Sequence, residues 1–343
     1  MSGERVLVAM SGGVDSSVAA ALLLEQGFDV VGVTLKLWGG ETDSGCCSVA
    51  DVEDARRVAA QLGIDHYVFN FTDDFEHAVV DPYVDGYARG RTPNPCVECN
   101  RAIKFGRLLE RADALGFDLV ATGHHARVRH DPRGYELRRG LDRAKDQSYV
   151  CYMLGQSELD RVRLPVGELT KAEVRRHAAR LGLRTAGKAE SMDVCFVRRA
   201  DRVEFVSRHP ATRPGPIVDT VGAVVGEHEG VGAFTIGQRR GVGVAAGERR
   251  YVVDVDAPTA TVTIGARPDL LRTHVDLDAV VFVNHPPARG VSLQAQSRAH
   301  GEAVDAELDG GRVAFATPQL RVAPGQVVAL YSGDRLVGGG VAA

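Results

Sequence analysis

The chain has 343 residues, 44% of them hydrophobic, and 41 Lys and Arg against 45 Asp and Glu give a formal net charge of −4. That length suggests two or three domains of ~100–200 residues each, with ample apolar content for packed cores. No apolar run approaches ~18 residues and no signal-peptide pattern opens the chain, so a membrane span is excluded and a cytoplasmic protein expected. In chain order, residues 6–10 read as a buried parallel strand and residues 17–24 as an Ala- and Leu-rich helix. A strand is predicted at 29–35, a helix at 51–62 with apolar positions 52, 55, 58, 59 and 62, and a strand at 66–70. A helix at 104–115 and a strand at 119–122 follow. This alternation predicts an α/β N-terminal domain with a doubly wound parallel sheet, whose ligands gather at the carboxyl ends of the strands. Thr170-Lys171-Ala172-Glu173 is a capping box opening a basic helix to about Leu181. Past about residue 203, Gly and Val become frequent and helical periodicity disappears. Residues 251–255, 261–264, 313–316 and 326–331 read as strands, and Asn284-His285-Pro286-Pro287 as a loop. The expected division is 1–203, a small β-rich module at 204–268, and a β-barrel-like module at 269–343.

The hexapeptide Ser11-Gly12-Gly13-Val14-Asp15-Ser16 lies between the first strand and the first helix. Two glycines let the backbone turn tightly and bring N–H groups close to an anion, and the helix adds the positive end of its dipole. Ser11 and Ser16 can donate to phosphate oxygens. Asp15 does not belong in a bare phosphate cradle, which suggests a magnesium ion beside it. This pattern resembles the pyrophosphate loop of the ATP pyrophosphatase superfamily, which cleaves ATP between the α and β phosphates and adenylates an oxygen of the substrate. Two other glycine patterns fail. Gly182 to Lys188 has Walker spacing, but Ala189 follows the lysine and a helix rather than a strand precedes it. Gly241 to Ala246 mimics a dinucleotide fingerprint without a leading strand.

Six cysteines, at 46, 47, 96, 99, 151 and 195, do not look like a disulfide framework. Cys96 and Cys99 sit in Thr92-Pro93-Asn94-Pro95-Cys96-Val97-Glu98-Cys99, whose prolines predict an ordered non-helical loop entering a helix. A thiolate at Cys99 would be stabilised near that helix start. Cys195 lies in Ser191-Met192-Asp193-Val194-Cys195-Phe196. Other distinctive strings are Lys145-Asp146-Gln147-Ser148-Tyr149, Gly237-Gln238-Arg239-Arg240-Gly241, Pro324-Gly325-Gln326 and Gly338-Gly339-Gly340.

Together, and in this order over nearly the whole chain, these strings resemble the bacterial tRNA-specific 2-thiouridylases. The resemblance implies an adenine-nucleotide α-hydrolase-like fold and sulfuration of the wobble uridine of tRNAs for lysine, glutamate and glutamine. ATP would adenylate the 2-carbonyl oxygen, and a cysteine persulfide would then supply sulfur as AMP leaves. It assigns Cys195 as persulfide carrier and Cys99 as nucleophile. Ala9, Met10, Ser11, Gly12, Gly13, Val14, Asp15, Ser16, Leu35 and Gly123 would surround ATP. Asn94, Pro95 and Cys96 would border the flipped target base. His124, Lys145, Asp146, Gln147, Arg298 and Gln326 would contact tRNA. A cysteine desulfurase or sulfur-relay protein would be the sulfur donor. A tRNA thiolase acting on another base or position is the alternative.

The sequence departs from the family at two places. Cys96 stands where Asp is frequent, so Cys96, Cys99 and Cys195 could converge on an iron–sulfur cluster, although persulfide chemistry is favoured. Ala299 follows Arg298 where the family has Tyr, which removes a stacking contact. Trp38 could stack on a base or pack in the core. Cys46 and Cys47 carry no assigned role. The net acidity is unusual for an RNA partner, but Arg127, Arg129, Arg133, Arg138, Arg139, Arg143 and Lys145 cluster. Further pairs at 175–176, 198–199, 239–240 and 249–250 suggest a dispersed phosphate-binding surface.

Overall fold

The structure of the protein, a computed structural model, describes residues 3–39, 48–189, 194–197, 201–207, 213–244 and 248–343. Cys46, Cys47, the Ser191-Met192-Asp193 string and Arg198-Arg199 lie outside the described residues.

Five parallel strands form the first sheet: β1 (Arg5–Ala9), β2 (Asp29–Lys36), β3 (His66–Asn70), β4 (Leu119–Ala121) and, later in the chain, β7 (Val162–Arg163). Their order is β3-β2-β1-β4-β7, with Val6 opposite both Val30 and Leu119. After Arg5 the central strand is apolar, because both its faces are covered. Leu7 packs with Val31, Val33 and Val120 in one core. Val6 and Val8 point the other way, to Val30, Leu119, Ala121, Val18 and Val58. The second core is closed by helices α1 (Val14–Glu25), α2 (Val49–Leu62) and α3 (Lys171–Arg180). Each fully buried Val or Leu here contributes on the order of 1.5–3 kcal/mol. The doubly wound sheet expected from the βα alternation is therefore present.

Between β4 and β7 the sequence conceals a hairpin, β5 (Ala126–Asp131) and β6 (Gly134–Arg139). Its arginines mask the period-2 alternation, because they are fixed by carboxylates. Arg127 pairs with Asp334 at 2.7 Å, Arg129 with Glu168 at 2.8 Å, Arg133 with Asp131 at 3.1 Å, Arg138 with Glu136 at 2.6 Å and Arg139 with Asp146 at 2.8 Å. The densest basic cluster of the sequence is thus largely an ion-paired framework and not a bare phosphate-binding surface.

The central module holds β8 (Gly215–Val218), β9 (Val224–His228), β10 (Tyr251–Asp256) and β11 (Thr261–Gly265), ordered β10-β11-β8-β9 around Val252, Val262 and Ile264. The C-terminal part contains β12 (Leu271–Phe282), β13 (Ser292–Gln296), β14 (Val304–Asp309), β15 (Arg312–Leu320), β16 (Val327–Ser332) and β17 (Arg335–Ala342). Pairing of β12 with both β15 and β17 closes these six into a barrel. The barrel is joined to the first domain, since β17 also pairs with β6, Leu336 opposite Leu137. A shared core of Val97, Phe105, Leu137, Tyr149, Tyr152, Val327 and Tyr331 holds this junction. Among the described residues, no helix is long and apolar enough to cross a membrane.

Candidate active site

The hexapeptide Ser11–Ser16 turns from β1 into α1 at the carboxyl edge of the sheet. Gly12 has φ +70°, and a Cβ there would lie 2.2 Å from the Asp51 carbonyl oxygen. A side chain at this position is excluded by both conformation and space. Gly123, just after β4, is constrained from the other side: its Cβ would lie 2.6 Å from Ser16 N. The hydroxyls pre-set the turn. Ser16 Oγ accepts from Ser11 N at 3.2 Å and lies 3.2 Å from the Gly13 carbonyl, to which Ser17 Oγ donates at 2.8 Å.

These residues line a cavity of about 560 Å³, a size suited to a nucleotide. Ala9, Met10, Ser11, Gly13, Val14, Asp15, Ser16, Leu35 and Gly123 all border it, and Gly12 closes the turn beneath. His124, Lys145 and Gln147 share its wall. Sequence reasoning missed further lining side chains, among them Lys104, His125, Lys171, Lys188 and, from the barrel, His300. The capping box of α3 was visible in sequence, but nothing local showed that the helix's first residue, Lys171, would reach Asp15 at the start of α1.

Asp15 is the electrostatic centre of the cavity. Lys171 Nζ donates to its two oxygens at 2.8 and 2.6 Å, and His125 Nε2 donates at 3.1 Å. Burial pushes the carboxyl up, but the hydrogen bonds from His125 and Lys171 and the lysine charge outweigh it, so Asp15 stays below the ordinary carboxylate value. An ammonium thus stands beside Asp15, where the sequence suggested a magnesium ion. Both carboxylates that line the cavity are held by lysines, Asp15 by Lys171 and Asp51 by Lys188.

His124 is buried, with Nδ1 2.7 Å from Thr122 Oγ1 and its ring 5.7 Å from that of Phe105. Burial, helped by Lys104 and His125, holds its pKa well below the ordinary imidazole value. It is a neutral wall of the cavity at pH 7. Because the unfolded chain protonates this imidazole near 6.5, its stability contribution is complete above that pH and declines as pH falls below it. The melting temperature is expected to drop between about pH 7 and about pH 5, and His124→Gln should flatten this slope without removing it. His66 and His228, lowered chiefly by burial, account for the remainder. Calorimetry across that range provides the check.

The 145–147 turn divides its roles. Asp146 is buried and accepts from Arg139 Nη1, Gly140 N, Ser148 N and Ser148 Oγ at 2.8–3.1 Å. Its carboxylate organises the turn from inside. Gln147 Oε1 accepts from His125 N at 2.9 Å. Gln326 donates to the Thr92 carbonyl, and Thr92 N to the Pro324 carbonyl, so the barrel fixes the loop that carries Asn94, Pro95 and Cys96.

That loop is helical from Pro95, earlier than the prolines suggested. Asn94 Oδ1 caps the turn by accepting from Cys96 N at 3.1 Å and Val97 N at 3.4 Å, and Pro95 occupies the first position, where a missing N–H costs nothing. Helix continues beyond it, π-wound over Cys99–Arg107 and then regular over Leu108–Ala114. Cys96 is exposed, Cys99 buried and Cys195 half-buried. Cys99 and Phe196 belong to one core cluster, and Cys195 packs against the same cluster. Tyr83, which feels Cys96 electrostatically, lies 5.3 Å from Phe196 ring to ring. The fold thus brings Cys99 and the sequence-distant Cys195 to one aromatic core. Trp38 is part of that core, 6.0 Å from Phe196 and 6.5 Å from Phe75 and Phe205. Cys151 differs: it is fully buried, and burial pushes its thiol up to about 12, which leaves it inert. Among the described residues, no group of three or more His, Cys, Asp or Glu is arranged to hold a metal, so Cys96, Cys99 and Cys195 do not make up a cluster ligand set here. In the barrel, Arg298 is exposed and Ala299 packs against the domain-junction core.

The sheet order, the glycine turn at its carboxyl edge and the cavity above it define a nucleotide-binding α/β domain of the pyrophosphate-loop kind. A family model described as the tRNA methyl transferase HUP domain matches residues 4–199. The tRNA methyl transferase PRC-barrel domain matches 203–266 and the aminomethyltransferase beta-barrel domain 272–342. Among curated proteins, the tRNA-specific 2-thiouridylase MnmA of Roseiflexus castenholzii is 48% identical, over 98% of both chains. That of Pelotomaculum thermopropionicum is 45% identical over 99% of this chain and 97% of its own. A solved 4-thiouridine synthetase–RNA complex with bound ATP is 17% identical, with a TM-score of 0.40 over 60% of this chain and 50% of that one. The chain belongs to the family of tRNA-specific 2-thiouridylases.

Proposed function

We propose that the protein is a tRNA-uridine 2-sulfurtransferase that uses ATP to replace the 2-carbonyl oxygen of the wobble uridine with sulfur. The observation that carries this reading is the pairing of a pyrophosphate-loop cavity with reactive-type cysteines, Cys99 and Cys195, on the adjoining core. A uracil carbonyl oxygen is a poor leaving group. Attack of that oxygen on the α-phosphate releases pyrophosphate from the Ser11–Ser16 turn and converts the oxygen into part of an AMP leaving group. The terminal sulfur of a Cys195 persulfide then attacks C2, and AMP departs. Cys99 breaks the remaining S–S bond and forms a disulfide with Cys195, or acts earlier to release sulfide from the persulfide. Two external thiols then reduce that disulfide by successive exchange, restoring both cysteines and leaving as a disulfide of their own. The methyl-transfer wording of the family models finds no counterpart in this constellation, whereas the curated relatives are thiouridylases.

Lys145, Gln147, His124, Gln326 and Arg298 serve tRNA binding in this reading, and Asn94, Pro95 and Cys96 border the extruded base. The division at residues 203 and 268 is supported by the breaks between the matched family models. Sulfur reaches Cys195 from a desulfurase or relay protein in the cytoplasm. The direct test is nucleoside analysis of tRNA from a deletion strain. Loss of 2-thiouridine derivatives supports the assignment, and loss of 4-thiouridine alone would support a thiolase of another position.

Binding of tRNA by a chain of net charge −4 requires local cations. Affinity should fall by ~0.7–0.9 log unit per log unit of salt for each phosphate contact. Lys145→Ala should weaken tRNA binding and reduce that slope by about one contact. Filter binding over a salt series checks this, and a salt-independent affinity would contradict it. Cys96→Asp is expected to retain thiolation, because persulfide chemistry needs Cys99 and Cys195 alone. Iron and sulfide analysis of anaerobically purified protein, beside activity of this variant, tests the cluster alternative.

A further inference from the structure

The Gly237-Gln238-Arg239-Arg240-Gly241 string, distinctive in sequence, belongs neither to the nucleotide cavity nor to the cysteine core. It forms a turn on the central module. Gly237 and Gly241 bracket the arginine pair at φ +84° and +71°, in the left-handed region that glycine occupies without strain. Gln238 fastens the turn with both ends of its amide. Its Oε1 accepts from Thr235 N at 3.1 Å, and its Nε2 donates to the Arg240 carbonyl at 3.0 Å. The backbone is tied to β10, where Gly237 N donates to the Val252 carbonyl at 2.8 Å and Val252 N to the Gln238 carbonyl at 2.9 Å. The polar groups of Gln238 are thus used within the turn, and Arg239 and Arg240 stand exposed on it.

Arg239 lines a cavity of about 360 Å³ together with Val242, Val244, Glu248, Arg249 and Arg250. Val242 belongs to the core of the module and Val244 packs against that core, which fixes the floor. Glu248 pairs with Arg250. Among the described residues, the guanidinium groups of Arg239 and Arg249 have no ion-pair partner. The hairpin 126–139 shows the reverse, since each of its arginines is held by a carboxylate. Three guanidinium groups against one carboxylate leave two positive charges at the cavity, on planar forks that match phosphate oxygens. β10 opens at Tyr251, directly after Arg250, and runs past Val255. A Cβ on Gly90, where the chain enters the Asn94 loop, would lie 3.1 Å from the Val255 carbonyl oxygen. The strand therefore sets the cavity off from that contact by roughly 16 Å, beyond the target nucleotide and within reach of the RNA that flanks it.

We propose that Arg239 and Arg249 form a phosphodiester-binding site on the central module, which holds the sugar–phosphate backbone of tRNA away from the target uridine. The proposal rests on the reading of tRNA as substrate and adds to it a contact outside the catalytic domain. Free polyphosphate would offer the same oxyanions. The excess of two positive charges matches phosphodiesters, which carry one negative charge each, better than a pyrophosphate, which Glu248 would repel.

The test measures tRNA binding by the full chain across a salt series. Arg239→Ala/Arg249→Ala should lower affinity ~10-fold at ~0.1 M salt and reduce the log–log slope by about 1.4–1.8, the share of two phosphate contacts. Arg289→Ala/Arg312→Ala removes the same charge from arginines already paired with Asp309 and Asp276, and should change affinity less than ~2-fold. Arg239→Lys/Arg249→Lys keeps the charges without the forks, and should recover the slope but only part of the affinity. Calorimetry with inorganic pyrophosphate should give the same binding in Arg239→Ala/Arg249→Ala as in the normal protein. ATP binding by the free variant serves as its fold control, since neither arginine borders the nucleotide cavity. Should this variant fail to fold, Arg239→Gln/Arg249→Gln takes its place in every comparison. The proposal is overturned if the variant keeps normal tRNA affinity and slope. It is also overturned if the two alanine double variants lose affinity alike, which would leave a diffuse field and no site. Loss of a pyrophosphate site in the variant would assign the cavity to free polyphosphate and overturn it too. A normal protein with no affinity for tRNA would refute the tRNA reading itself, whereas tRNA binding that ignores Arg239 and Arg249 refutes this site alone.

Discussion

Cys195→Ser should abolish 2-thiouridine formation, with a loss of at least ~1,000-fold, while leaving ATP–pyrophosphate exchange with tRNA in place. In the proposed reaction the two half-reactions use different parts of the molecule. Adenylation would draw on the turn and cavity at the sheet edge, whose lining does not include Cys99 or Cys195. Sulfur transfer would draw on thiols placed against the Phe75, Tyr83 and Phe196 core. A serine hydroxyl is close in volume to the half-buried thiol, so the fold should survive the exchange. Cys99→Ser should stop turnover in the same assay and also leave exchange intact. Trapped adenylated tRNA should accumulate with either variant. Loss of exchange in a Cys195→Ser protein that folds and binds tRNA would show the division of labour to be wrong.

The first domain was legible in sequence because its signals are local. An apolar strand between charged ends, a Gly-Gly turn and an Ala-rich helix each announce themselves, and β3 was read at its observed limits. The hairpin 126–139 was not legible, since its arginines read as a solvated basic cluster until the carboxylates of Asp334 and Glu168 appear beside them. These partners lie as far as 207 residues away in sequence, and no period or spacing encodes that distance. The same reason explains the site. Ser11–Ser16 and Gly123 were found from a motif and a strand end. Lys171, Lys188 and His300 reach the cavity only through tertiary packing. Asp146 shows another case: the sequence displays a polar string, but not that burial gives its carboxylate the structural duty of organising the turn. Asn94 shows a third case, in which a residue expected at the target base also has a structural duty as helix cap.

Asp15→Asn should reduce adenylation by ~100-fold or more, because it removes the carboxylate that aims the Lys171 ammonium into the cavity, and Lys171→Met should do nearly as much, because it removes that ammonium. The pair is more instructive than either member. Lys171 is 9% exposed and its ammonium is held at 2.6 Å from Asp15. Neutralising Asp15 leaves that ammonium at the cavity wall with His125 as its other neighbour on the lost carboxylate. The cost to stability should be ~1–3 kcal/mol, below the value for a fully buried pair because Asp15 opens to the cavity. Lys171→Met strands the carboxylate in turn, and Asp15, no longer held below the ordinary carboxylate value by the lysine, should move up under the burial that opposes its charge. In Asp15→Asn/Lys171→Met neither charge is stranded, so the double variant should be more stable than the sum of the two losses predicts. Adenylation should not recover with it, since the phosphates then meet neither group. Denaturant melts of the four proteins, run beside pyrophosphate exchange, separate the two effects. Strict additivity in stability would mean that Lys171 and Asp15 do not form a coupled pair, and activity regained in the double variant would mean that their charges serve the fold and not the phosphates.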